Sequence, residues 1–145
     1  MEVKVEWQGN MKFLGLNQSG KSILMDANIE AGGDGKGPSP MEVLLQAVAG
    51  CTGIDVVLTA KKMRMNITNF SLNLIGVKAE EHPHRFTDIE IIYNVEGDRL
   101  DIKKLLRTID LSMNKYCSVS NSLSALFTTR LIVNGQAVEA KDNNL

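Results

Sequence analysis

Between Leu44 and Leu58 the chain has almost no polar side. Leu44, Leu45, Ala47, Val48, Ala49, Cys51, Ile54, Val56, Val57 and Leu58 fill that stretch, and Gln46, Gly50 and Asp55 are its main interruptions. Just ahead lies Gly37-Pro38-Ser39-Pro40-Met41-Glu42. Ser39 suits an N-cap, Pro40 the first helical position, and Glu42 the positive end of the helix dipole. Ser39 and Glu42 also have the spacing of a capping box. The pattern predicts a helix from about residue 40 to about 64. A helix apolar nearly all round is a buried helix. In a chain of 145 residues few elements can surround it, so a second chain is expected to cover it. Gly50 and Gly53 each cost such a helix roughly 1 kcal/mol against alanine, and close approach of another helix is one use for them.

The polar interruptions, with Lys61, argue against a membrane span. Hydrophobic residues make up 43% and charged residues 23%, with a formal charge of -1. That balance gives no electrostatic reason for a nucleic-acid or anionic-membrane partner. Met-Glu-Val-Lys-Val-Glu alternates and lacks the basic start and apolar middle of a signal peptide. The expected location is therefore the reducing cytoplasm, where two cysteines are free or transiently paired.

Residues 2–26 alternate apolar and polar in three short segments, separated by Gly9-Asn10 and by Asn17 to Gly20, which predicts a meander of three strands. Residues 31–40, with four glycines and two prolines, form a loop. Ile67 to Lys78 and Arg85 to Glu96 alternate again and predict a long hairpin through His82-Pro83-His84. Asp101 to Tyr116 has Ile102, Leu105, Leu106, Ile109 and Met113 at helical spacing, with Cys117 at its end. Leu126 to Val133 is the last predicted strand, and the polar tail is expected to fray. The whole chain, 1–145, reads as a single domain.

Three groups of residues invite a chemical reading. Gly15-Leu-Asn-Gln-Ser-Gly20-Lys21-Ser22 spells the phosphate-loop pattern. That motif needs a long helix behind it, and here a short strand follows, so a hairpin turn is expected. His82 and His84 lack zinc-finger spacing with either cysteine and read as solvated loop residues; no metal or other cofactor is expected. Cys51, taken alone, reads as a small hydrophobe. It stands three turns from its helix N-terminus, too far for the dipole to help, and Asp55 one turn on would oppose a thiolate. Cys117 sits where a helix gives way to a turn and amides are free. Two thiols can reduce a peroxide, one passing through sulfenic acid and the second closing a disulfide, which an external thiol then resets.

The stretches Gly32-Gly33, Gly37-Pro38-Ser39-Pro40-Met41-Glu42-Val43-Leu44-Leu45, Ala49-Gly50-Cys51-Thr52, His82-Pro83 with Phe86-Thr87, and Tyr116-Cys117-Ser118-Val119-Ser120 follow one another in a familiar order. Together they resemble the superfamily of osmotically inducible protein C and the organic hydroperoxide resistance proteins, across roughly residues 20–134. The resemblance implies an α+β fold in which antiparallel sheets wrap around the central cysteine-bearing helices of an intertwined homodimer. It implies Cys51 as the peroxidatic thiol and Cys117 as the resolving one, organic hydroperoxides as substrates, and an external thiol or a lipoyl-bearing protein as reductant.

Two positions depart from the peroxidase branches. They carry a glutamate directly after the residue matching Pro40, where this chain has Met41, and the carboxylate comes one residue later at Glu42. At about 100° per residue, Glu42 lies about 180° around the helix from Cys51. It is a candidate carboxylate for a partner chain's thiol, although capping suits its position better. The branches also place an activating arginine in the N-terminal strands, whereas the first arginine here is Arg64. Lys12 and Lys21 are the cations available to stand in, without the planar fork of a guanidinium. Three readings stay open: thiol-dependent hydroperoxide reduction in oxidative stress defence, non-peroxidatic binding of a small apolar or electrophilic molecule at a dimer interface, and a stable dimer whose core thiols are inert.

Overall fold

The computed structural model describes residues 1–142. The chain divides into two compact units, Met1–Gln46 and Ala47–Leu145.

In the first unit β1 (Val3–Trp7), β2 (Phe13–Asn17) and β3 (Ser22–Met25) pair antiparallel in chain order, the expected meander. The phosphate-loop look-alike is the β2–β3 turn. The Asn17 carboxamide oxygen accepts from the amides of Ser19 and Lys21, and Gly20 takes a φ of +77°. The alternation of β1 is real, but its apolar side is open: Val3 and Trp7 are 65% and 67% exposed. Glycine is required in the loop that follows. A Cβ on Gly33 would lie 1.8 Å from the carbonyl oxygen of Ala27, and one on Gly37 2.3 Å from that of Leu24. The buried Asp26 carboxylate gathers this loop by accepting from the amides of Asp34 and Lys36.

Helix α1 (Pro40–Lys62) starts on the expected capping box. Glu42 Oε2 accepts from the Ser39 amide at 2.7 Å and from its hydroxyl at 2.8 Å, and the Glu42 amide donates back to Ser39 Oγ at 3.3 Å. Its length and composition would suffice to cross a membrane, a test that core helices also pass. Such a pattern cannot tell a bilayer from a protein interior. Inside the second unit its inward stripe is Val48, Thr52, Val56 and Ala60, all at or below 3% exposure.

The second unit holds a sheet ordered β4 (Asn66–Lys78), β5 (Phe86–Asp98), β6 (Leu126–Val133), β7 (Gln136–Asp142). The β4–β5 hairpin carries bulges at Ile67/Asn69 and Val77/Lys78. Each bulge shifts the inward phase by one residue, which explains why Ile67 leads to Phe70 and Phe86 to Ile89. Ile89, Ile91, Tyr93 and Val95 form the buried row of β5. Two expectations change here. The sheet is mixed, since β5 and β6 run parallel. The polar tail forms β7, antiparallel to β6, because an edge strand needs backbone pairing more than an apolar face. Gly53 allows close approach, but of a strand: a Cβ there would meet Leu72 Cδ1 at 3.2 Å, while one on Gly50 would meet nothing within 4 Å.

Parallel β5 and β6 require a crossover. It contains α2 (Ile102–Leu111), capped by the Asp101 carboxylate, which accepts from the Lys104 amide. Leu105 and Ile109 face the core. Instead of the single predicted helix to Tyr116, the chain widens into a π turn over Ser112–Tyr116. Cys117 follows, then a 3-10 turn at Ser120–Ser122.

Candidate active site

The C-terminal part of α1 and the π turn bring the two thiols together. Both are free; Cys51 is half-buried and Cys117 fully buried. Burial, first, and then the neighbouring Cys117 thiol push the Cys51 thiol above its ordinary value, while the amides of Val119 and Ser118 pull it down. None of these influences is a cation. The Ser120 amide donates to Cys117 Sγ at 3.4 Å. The turn after Cys117 is held by Asn121, whose carboxamide donates to the carbonyls of Met113 and Cys117 at 3.0 and 2.9 Å. The amides facing the sulfurs are therefore fixed in place.

The other residues singled out by sequence have their own local surroundings. Glu42 caps α1 and bonds Ser39. Lys12 pairs with Asp34. His82 and His84 are exposed on the β4–β5 loop, their rings 4.2 Å apart, with His84 Nδ1 on the carbonyl of Ala79. Among the described residues no three metal-binding side chains converge.

A polar chain beside the thiols was not foreseen. Tyr93 OH and Thr52 Oγ1 lie 2.7 Å apart, Thr52 Oγ1 and Ser112 Oγ 3.0 Å, and Ser112 Oγ and Asp55 Oδ2 2.5 Å. Tyr93, Thr52 and Ser112 are all 0% exposed, and Asp55 reaches the half-exposed edge. Burial holds the Tyr93 phenol protonated, and its hydroxyl feels the charges of Cys117 and Asp55. The available signal was Thr52 and Asp55, two polar residues three apart on an otherwise apolar helix.

Along the outer side of α1, Ala49, Gly50, Ile54, Val57 and Leu58 border an apolar groove of about 570 Å³ with Phe70 and Leu72 of β4.

Comparison with known proteins places the fold and the family. The chain is 42% identical over 120 residues to Protein YhfA of Escherichia coli (strain K12), which covers 83% of this chain and 87% of that protein. A hypothetical protein from Aquifex aeolicus VF5 is 32% identical with a TM-score of 0.80, over 92% of this chain and 95% of that one. An organic hydroperoxide resistance protein from Elizabethkingia anophelis has the same fold, with a TM-score of 0.62 and 15% identity over 92% and 95% of the two chains. Residues 33–131, which include both thiols and the residues of the hydroxyl chain, match the OsmC-like protein family, and the chain belongs to it.

Proposed function

We propose that the Cys51/Cys117 pair reduces organic hydroperoxides. The observation that carries this reading is the pairing of two free thiols, one on α1 and one just after the π turn, each of which the other influences. The Cys51 thiolate attacks the distal peroxide oxygen, the O–O bond breaks, and the alkoxide takes up a proton to leave as alcohol. The sulfur, now a sulfenic acid, is attacked by the Cys117 thiolate. Hydroxide leaves and takes up a proton as water. The two protons released by the thiols match the two consumed, and two electrons from an external thiol or lipoyl group restore the pair. A reducing cytoplasm suits that cycle. The amides of Ser118 and Val119 supply thiolate stabilisation on a site without an arginine. A homodimer covering the open side of α1 completes the reading. One equivalent of cumene hydroperoxide is expected to give a Cys51–Cys117 disulfide and one equivalent of alcohol, read by mass spectrometry. Unchanged thiols after hours would overturn it.

The raised Cys51 thiol favours a second reading, in which the groove binds an apolar or electrophilic molecule without peroxide turnover. It predicts ligand-dependent thermal stabilisation that survives Cys51→Ser.

A further inference from the structure

We infer that Ser112 is the positioning residue of the thiol pair: it ties the backbone of Cys117 to the turn of α1 that carries Cys51. This rests on the thiol-pair reading and concerns its second step, the closing of the disulfide.

Ser112 opens the π turn and reaches α1 at two points. Its hydroxyl lies 3.0 Å from Thr52 Oγ1 and donates to Asp55 Oδ2 over 2.5 Å. Thr52 is the next residue after Cys51, and Asp55 lies one turn further on. Tyr93 of β5 holds Thr52 in turn, with 2.7 Å between the two hydroxyls. Ser112 reaches Cys117 through its main chain: its carbonyl accepts from the Cys117 amide at 2.8 Å. In a regular α-helix that amide would bond residue 113. The wider π turn moves the bond to Ser112, and turns of this kind are frequent at functional sites. Two hydrogen bonds through one residue therefore join the neighbour of the first cysteine to the main chain of the second. The carbonyl of Cys117 is held as well, by the Asn121 carboxamide at 2.9 Å and the Ser120 hydroxyl at 3.1 Å.

Stability gives little reason for hydroxyls here. Thr52, Ser112 and Tyr93 are fully buried, and replacing both partners of a buried hydrogen bond by apolar groups of the same shape can be nearly neutral. Directional bonds do what apolar packing does not: they admit one register of the π turn on α1. A disulfide demands such a register. Its Cα atoms must stand about 4.4–6.8 Å apart with the side chains facing, and a misplacement of about 1 Å costs on the order of 100-fold in rate.

The test uses 5,5′-dithiobis(2-nitrobenzoate), an aromatic disulfide, and the reduced full-length protein, so it needs no peroxide. The Cys51 thiolate attacks the reagent, forms the mixed disulfide and releases one thionitrobenzoate. The Cys117 thiol gives its proton to the buffer and attacks the Cys51 sulfur; the Cys51–Cys117 bond forms and a second thionitrobenzoate leaves. In Ser112→Ala and Thr52→Val the first release is expected to be unchanged and the second slowed on the order of 100-fold. Thr52→Ser, which keeps the hydroxyl, closes as the wild type does. Val56→Ala empties buried volume on the same helix and has no side-chain hydrogen bond to lose. It is the control for lost stability, followed by urea unfolding, and its second release is expected to stay at the wild-type rate. A wild-type second release in both Ser112→Ala and Thr52→Val overturns the positioning role. So does equal slowing in Thr52→Ser or in Val56→Ala, since the effect would then follow side-chain size or stability. If Ser112→Ala does not fold, Thr52→Val against Thr52→Ser decides. If the pattern holds and peroxide is not consumed, the positioning role stands and the peroxidase reading falls. If peroxide is consumed and the pattern is absent, the positioning role alone falls. A wild type without any second release overturns both.

Discussion

On α1, Thr52 and Val56 are fully buried, whereas Ile54 and Leu58 are 62% and 50% exposed. One side of the same helix places a hydroxyl in the interior and the other places two large aliphatic side chains outside. The inward side is chosen by partners of matching shape and polarity, since Thr52 stands between Tyr93 and Ser112 with its hydrogen-bonding capacity filled. The outward side has exposed apolar area, bordering the groove that Ile54 and Leu58 share with Phe70 and Leu72. Burial in this helix therefore follows from what lies opposite each residue. Hydrophobicity alone would have ranked Ile54 and Leu58 first.

The most direct way to break that contrast is a matched pair of charges. Val56→Asp puts an unpaired carboxylate inside and is expected to cost about 3–5 kcal/mol in urea unfolding, the scale of an uncompensated buried charge, at any protein concentration. Ile54→Asp, about 200° around the helix, is expected to act through association, so its cost shrinks as the protein is diluted. Equal, concentration-independent losses would show that the two sides do not differ.

Gly50→Ala sharpens the outward side. Its added methyl group meets nothing within 4 Å, so the dilute chain is expected to gain up to about 1 kcal/mol from helix propensity. A loss at low concentration would mean that the space is not open.

The smallest effect concerns Cys51, which lies between the two sides. Burial and Cys117 raise its thiol, so its iodoacetamide reaction should have a midpoint above the free-cysteine value of about 8.5. Cys117→Ala removes two of the raising influences and is expected to lower the midpoint. The sign for stability follows: the neutral thiol is favoured by folding, so its contribution is complete below the unfolded value and is lost as pH rises through the folded one. A midpoint unmoved in Cys117→Ala would detach the two sulfurs electrostatically.

Much of this was legible from residues alone. Ser39 and Glu42 announced the start of α1, and period-2 alternation gave six of the strands, because capping and pleat are local. Three features escaped for a common reason. Alternation does not encode strand direction, so parallel β5 and β6 gave no warning. Gln136 to Asp142 pairs through its backbone, which polar composition conceals. A helix apolar on nearly all sides cannot announce which side faces inward, so Thr52 stood out as polar without its partners Tyr93 and Ser112 being legible. The thiol pair itself was legible only as two motifs in order; their meeting depends on the crossover.

That crossover has a consequence for how the second sulfur is carried. Two strands that run the same way oblige the polypeptide to travel back along the sheet before the next can begin. Here the return journey is α2, the π turn and Cys117. Had β6 lain head-to-tail against β5, a tight hairpin would have sufficed, and the chain would have had no detour on which to mount a thiol opposite Cys51.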